Sequence, residues 1–430
     1  MRSLRFIESR FAILSFTVIL KLAYDMAYTY LISRFFSWTP TYYPFSLNSF
    51  KLVESYALTV FLGLVVPRQL KKPSDLLLTF LATAVVLPML TLYGLANRDS
   101  MYTYMAVLVF LLIRVVMYIF PNIRVPVVHS GWKIALLTSL LAVIGITCSL
   151  FLTIGFQHFD LSTIFDYSKM VSIRREVVRA TLERHTLLAY LYFWNFIVFL
   201  PTLLVILLHR RRFALAGIFT IGQILLTGIT ARRHTLVVLP VLLGTYMISK
   251  KPRLAPSLMI LGFIGIVSVV TFVSLHVPSV RIVGTWMERF FFVPPRLNYA
   301  YFEFFSSAGH VYLTSTKIPI PLEYPFDMIP ERLIGTYILL SPKTVSSAGF
   351  MATSYMHAGF IGMVIFSSVV AFLLKLVDSL VVHRIPLEVG TALSMVVFSG
   401  LFRGADLTQW LLTFGGAPLL LLLALIGERV

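Results

Sequence analysis

The sequence predicts an all-α polytopic membrane protein with about twelve transmembrane helices. Composition is the first reason. Of 430 residues, 58% are hydrophobic and 13% charged, against about a quarter charged in a soluble domain. Mean hydropathy is the second, at +0.88. The third is pattern: apolar runs of about 17–25 residues recur, long enough to cross hydrocarbon as helices. The alternating pattern of a membrane barrel is absent. The same composition excludes a soluble enzyme and, with 36 Phe, 20 Tyr and 5 Trp, a disordered chain. One cysteine, Cys148, excludes a disulfide framework and a cysteine metal cluster.

The expected spans are 11–32, 52–66, 75–96, 101–120, 134–156, 186–208, 213–230, 234–249, 254–275, 350–374, 387–402 and 407–426. Together they make residues 1–430 one integral-membrane domain. The first span follows Arg2, Arg5 and Arg10 as a signal peptide would. Yet Lys21 and Asp25 come after it and no small-x-small cleavage site does, so it reads as a span. Asp25 is the carboxylate at mid-depth, and Lys21, one turn earlier, is placed to neutralise it. Arg114 is a lone intramembrane base with no evident partner in the sequence. So few intramembrane ionisable groups argue against ion-coupled transport.

Net charge is +18. On a membrane chain this reads as basic cytoplasmic loops rather than nucleic-acid binding. With the N-terminus inside, the inner segments carry Arg68, Lys71, Lys72, Arg210, Arg211, Arg212, Lys250, Lys251 and Arg253 among others. They hold the higher density of basic residues, which puts both termini in the cytoplasm. The outer segments carry many arginines and few lysines, which the positive-inside rule does not explain. An anion on the outer side does.

Two outer loops are long, 157–185 and 276–349. In the first, Arg175, Arg179 and Glu183 share one helical stripe opposite an apolar one. That fits an amphipathic helix at the membrane surface whose electropositive lip draws in a lipid phosphate; a solvated charged face has the same spacing. The second loop is rich in proline and aromatics. Its segment from Pro295 to Gly309 reads as a helix, with proline in the first turn and glycine as the stop. Arg296, Tyr299 and Glu303 then share a face, an anion clamp beside a candidate general base. His310, just past the stop, is a second candidate base.

Short outer turns add Arg232 and Arg233, then Arg403 with Asp406. Guanidinium forks bind phosphate in two-pronged fashion where lysine acts as a point charge. Arg232, Arg233, Arg289, Arg296 and Arg403 are therefore the expected pyrophosphate-binding set. No metal or cofactor is expected. The first outer loop has no acidic pair, and neither a His-Glu-x-x-His motif nor a phosphate-binding glycine loop occurs.

Three stretches carry a family resemblance: LLTGITARRHTLVVL at 225–239, GFMATSYMHAGFIG at 349–362 and LFRGADL at 401–407. With the span count and the large loop before the tenth span, the chain resembles the Wzy-type oligosaccharide repeat-unit polymerases, which share their look with the O-antigen ligases. The resemblance implies a GT-C-like, metal-independent, inverting glycosyltransferase. It would join glycan repeats carried on undecaprenyl pyrophosphate at the outer face of a bacterial cytoplasmic membrane. Its partners would be the lipid-linked glycan, the bilayer and a Wzz-type chain-length regulator. By that resemblance Arg232 or Arg233, and Arg403, hold pyrophosphate. The alternatives are a ligase-like transferase and a flippase or exporter of lipid-linked glycans.

Overall fold

The computed structural model describes residues 7–37, 42–121, 123, 126, 130–154, 186–230, 234–278, 281–316 and 321–427. The described residues form helices and connecting turns, with no strand among them. In chain order the helices are α1 (Arg10–Phe35), α2 (Ser49–Val65), α3 (Pro73–Leu95), α4 (Ser100–Ile119), α5 (Gly131–Ile154), α6 (Leu187–His209), α7 (Phe213–Thr230) and α8 (His234–Ser249). Then come α9 (Ala255–His276), α10 (Ile282–Met287), α11 (Val293–Ala308), α12 (Pro330–Leu339), α13 (Phe350–Val381), α14 (Leu387–Arg403), α15 (Leu407–Leu412) and α16 (Gly416–Ile426).

Helices cover most of each expected span, and among the described residues 7 helices are long and apolar enough to cross a membrane. These are α1, α3, α4, α5, α6, α9 and α13. Two of the expected spans differ in form. The last is broken into α15 and α16, and Gly415, at φ 83°, takes the left-handed turn between them. The tenth runs on to Val381 and is interrupted at Ala358 and Gly359. Large apolar side chains face outward from these helices, among them Tyr118 at 91%, Leu152 at 86% and Ile361 at 72% exposure. Outward apolar side chains suit helices whose surroundings are lipid tails.

Four π-helical turns interrupt the helices among the described residues, at Tyr28–Ile32, Ala82–Val86, Asn195–Phe199 and Glu288–Phe292. The last three each end two residues before a proline: Pro88, Pro201 and Pro294. A proline offers no N–H to the carbonyl four residues back, and its ring crowds that carbonyl. The wider π turn moves the carbonyl aside and lets the helix resume.

The chain forms two compact units. Unit 1 takes residues 1–122, 252–375 and 399–408. Here α1 packs along α9 and α2, and α2 along the second half of α3. Two glycines allow the close crossings. A Cβ on Gly63 would lie 2.9 Å from Leu14 Cδ1, and one on Gly94 2.9 Å from Leu52 Cα. Lys21 and Asp25 pair inside α1 at 2.6 Å, as the sequence predicts, and the Tyr56 hydroxyl donates to Asp25 Oδ2 at 2.8 Å. Unit 2 takes residues 123–251, 376–398 and 409–430. Its α5 packs on α6 and α16. Its polar ties include the Arg210 guanidinium 3.6 Å above the Trp132 ring and His209 3.3 Å from Glu388.

Candidate active site

Several ionisable groups of residues 276–349 lie in unit 1 around α11. That helix begins after the π turn Glu288–Phe292, holds Pro294 and Pro295 in its first turn, and stops at Gly309, whose φ is 88°. Its interior face carries Arg296, Asn298 and Tyr299, all buried. Tyr299 shares a 2.7 Å hydrogen bond with Thr103, and Asn298 Oδ1 accepts from Tyr102 at 2.9 Å. Both partners lie on α4, so α11 is pinned to the start of that helix.

Arg296 and Glu303 do share a face, and a third residue joins them. Arg98 Nη1 donates to Glu303 Oε1 at 2.6 Å, while Arg296 Nη1 lies 4.0 Å from Oε2. Arg98 sits in the turn before α4, directly before Asp99, which caps that helix by accepting from the Tyr102 N–H at 2.8 Å. Lys51 Nζ holds the Arg98 carbonyl at 2.6 Å. Arg296 is 2% exposed, and its Nε donates to the Tyr42 carbonyl at 2.6 Å. Burial, with the Arg98 charge nearby, lowers its pKa.

Next to this cluster is a buried carboxyl. Glu288 is 3% exposed and accepts from the Tyr43 hydroxyl at 3.0 Å. Burial raises its pKa to about 7, against the opposing pull of that hydrogen bond and of Arg289. Arg289 itself is exposed.

Arg403 is held differently. Its guanidinium carbon lies 3.8 Å from the centre of the Phe290 ring. Its Nε is buried with no hydrogen-bond partner, and it makes no ion pair with the described residues. Burial pulls its pKa down to about 10, so it stays charged at neutral pH. The turn that carries it is tightly packed: a Cβ on Gly349 would run into the Phe402 carbonyl and lie 3.0 Å from the Arg403 nitrogen.

No family model, curated protein or solved structure matches the chain. The chemistry must therefore be read from the residues themselves.

His310 packs edge-on against Tyr355, with ring centroids 5.4 Å apart, and its Nδ1 is buried with no hydrogen-bond partner. Burial lowers its pKa, so the ring is neutral at pH 7 and has a lone pair to offer. Three residues after Arg403 comes Asp406, hydrogen-bonded to a second histidine, His357, whose Nε2 lies 3.1 Å from Asp406 Oδ2. Burial pushes Asp406 up, but the bonds from His357 and Thr408 outweigh it and leave its pKa below the ordinary value.

Of the residues expected from sequence, the structure brings Arg296 and Glu303 together, places His310 in an aromatic niche and gives Arg403 no counter-ion among the described residues. Arg175, Arg179, Arg232 and Arg233, with all of residues 157–185, lie outside the described residues. Sequence reasoning passed over Arg98, Glu288 and the His357–Asp406 pair as site residues. The available signals were a charged pair in a four-residue turn, a carboxylate inside a run of aromatics, and a histidine directly before Ala-Gly in an apolar helix.

Proposed function

We propose that this chain is a membrane glycosyltransferase. It polymerises oligosaccharide repeats carried on undecaprenyl pyrophosphate, by inverting transfer at the outer face of a bacterial cytoplasmic membrane. Arg403 carries the reading: a partly buried guanidinium whose carbon lies 3.8 Å from the centre of a phenyl ring and whose charge is answered by no carboxylate among the described residues. Such a group is preorganised for an anion that the protein itself does not supply. All twelve apolar helical segments cross the bilayer in this reading, with both termini inside.

The reaction has simple requirements. A sugar hydroxyl attacks the anomeric carbon of the donor glycan. The bond from that carbon to the phosphate oxygen breaks, and the pyrophosphate leaves with the electron pair. Arg403 stabilises the charge that develops on it, as an oxyanion hole would. A base takes the hydroxyl proton. His310 suits that role because burial keeps it neutral. The Glu303 carboxylate is already engaged by Arg98. Aromatic side chains of the same loop, such as Phe302, Phe304 and Phe326, offer faces for sugar rings. A chain-length regulator is the natural protein partner.

The test uses purified protein in nanodiscs with lipid-pyrophosphate-linked repeats and EDTA, the products being resolved on a gel. A ladder of lengthening glycans is the expected result. Transfer to a second acceptor lipid without a ladder replaces the polymerase with a ligase. Movement of the lipid across a vesicle bilayer with no transfer replaces the enzyme with a flippase.

A further inference from the structure

The interruption of α13 frees backbone groups that its neighbours take up. Ala358 has φ −154° and ψ 34°, and Gly359 has φ 61° and ψ −147°. Carbonyls that precede such a break lose their intrahelical partners. A three-residue strap supplies new ones: the Val311 N–H donates to the Met356 carbonyl at 3.0 Å and the Tyr312 N–H to the His357 carbonyl at 3.0 Å. The Leu313 N–H then donates to His357 Nδ1 at 3.2 Å. An Nδ1 that accepts leaves the ring proton on Nε2, aimed at Asp406 Oδ2 at 3.1 Å. Asp406 Oδ1 accepts from the Thr408 N–H at 2.8 Å and its hydroxyl at 2.6 Å.

The result is one hydrogen-bonded chain from Thr408 through Asp406 and His357 to Leu313. Asp406 lies in the same turn as Arg403, and Leu313 in the strap that begins at His310. His357 is 1% exposed and Asp406 6%, so neither can touch a bound glycan. Packing alone does not call for a buried ionic pair here, because apolar residues of similar volume would fill the space as well. Gly359 completes the seat: a Cβ there would stand 2.9 Å from His310 Nε2.

We propose that His357 and Asp406 are positioning residues, a latch that holds the His310 strap in register with the Arg403 turn. The proposal rests on the polymerase reading for the role of His310, and the latch itself can be tested without it.

Hydrogen exchange on the full chain in detergent reads the latch directly. In His357→Gln the side-chain amide can reach Asp406 but not Leu313; in His357→Asn it can reach Leu313 but not Asp406. Amides 311–313 should exchange about tenfold faster in His357→Gln and Asp406→Asn than in wild type, with those of 361–375 unchanged. His357→Asn should keep the Leu313 amide slow. Unchanged exchange in the first two variants overturns the latch.

The gel assay reads positioning. Asp406→Asn should lower kcat by about ten- to a hundredfold, as misplacement of a reacting group does, with KM little changed. In a His310→Ala background it should cost nothing further. Losses that multiply would reduce the pair to a structural role and overturn the proposal. A wild-type protein that makes no ladder sinks the polymerase reading instead, and exchange still decides the latch.

Discussion

Arg296 and Arg403 are both arginines partly or wholly withdrawn from water, and they are held in opposite ways. Arg296 is 2% exposed, donates to the Tyr42 carbonyl and lies 4.0 Å from the Glu303 carboxylate. Arg403 rests on the Phe290 ring and makes neither a hydrogen bond nor an ion pair with the described residues. A buried cation is tolerated when its charge and its donors are answered. Where the protein answers them, the residue holds the fold. Where it does not, as at Arg403, the residue is free for the anion we propose it binds. Charge and depth alone would have ranked the two arginines together.

Substitution should separate them sharply. Arg296→Ala strands Glu303 with one cation fewer and the Tyr42 carbonyl without its donor. Leaving a buried carbonyl without its donor and a half-buried carboxylate with a weaker field costs about 1–3 kcal/mol, to which the cavity left by the buried Arg296 side chain adds. The expected outcome is a large drop in the thermal unfolding temperature in detergent, with activity lost through the fold. Arg403→Ala should leave unfolding within about 1 kcal/mol of wild type, since the lost ring contact and the relieved burial oppose each other. Its turnover should fall by about 10²–10³, the effect of removing one preorganised donor from a developing charge. An Arg403→Ala protein that is as active as wild type ends its role as the pyrophosphate ligand. Equal destabilisation of the two variants erases the contrast between them.

The sequence made one half of this contrast easier to see than the other. Apolar runs and a handful of prolines were enough to place most of the apolar helices and α11 within a few residues, because span length and helix termini are local properties; α10 and α12 were not expected. Arg296 and Glu303 could be put on one face because helical spacing dictates it. That Arg98 completes the cluster could not be read, since it arrives from a turn some two hundred residues earlier and periodicity carries no long-range pairing. That Arg403 meets no counter-ion among the described residues was equally hidden. It depends on which side chains the RGAD turn meets, and Asp406, three residues away and the obvious partner on paper, is turned toward His357 instead. The interruption at Gly359 was concealed inside an apolar stretch whose composition reads as a continuous span.

Glu288 extends the comparison to a carboxyl. Its pKa in the folded protein is about 7, raised by burial above the ordinary value of 4.5. Between those values the folded state binds more protons than the unfolded one, so stability falls as pH rises. The contribution is fully present below about pH 4.5 and is gone above about pH 7, and its size is on the order of 3 kcal/mol. Unfolding followed from pH 5 to 8 should show this decline in wild type and lose most of it in Glu288→Gln. A wild-type protein whose stability rises over that range contradicts the assignment.

The smallest effect offers the finest test, because it acts on one hydrogen bond. The Tyr43 hydroxyl donates to Glu288 Oε1 at 3.0 Å and favours the ionised carboxylate, which pulls the Glu288 pKa down against burial. Tyr43→Phe removes the donor and keeps the ring, so the Tyr42–Tyr43 edge contact at 4.6 Å survives. A lost hydrogen bond of this type costs about 1 kcal/mol, and somewhat more where the acceptor is charged. The penalty should therefore be larger at pH 8, where Glu288 is ionised, than at pH 5, where it is protonated. The midpoint of the decline in stability should also move upward. A penalty equal at both pH values would mean that the hydroxyl serves packing alone and that Glu288, like Arg296, is answered by its surroundings in either protonation state.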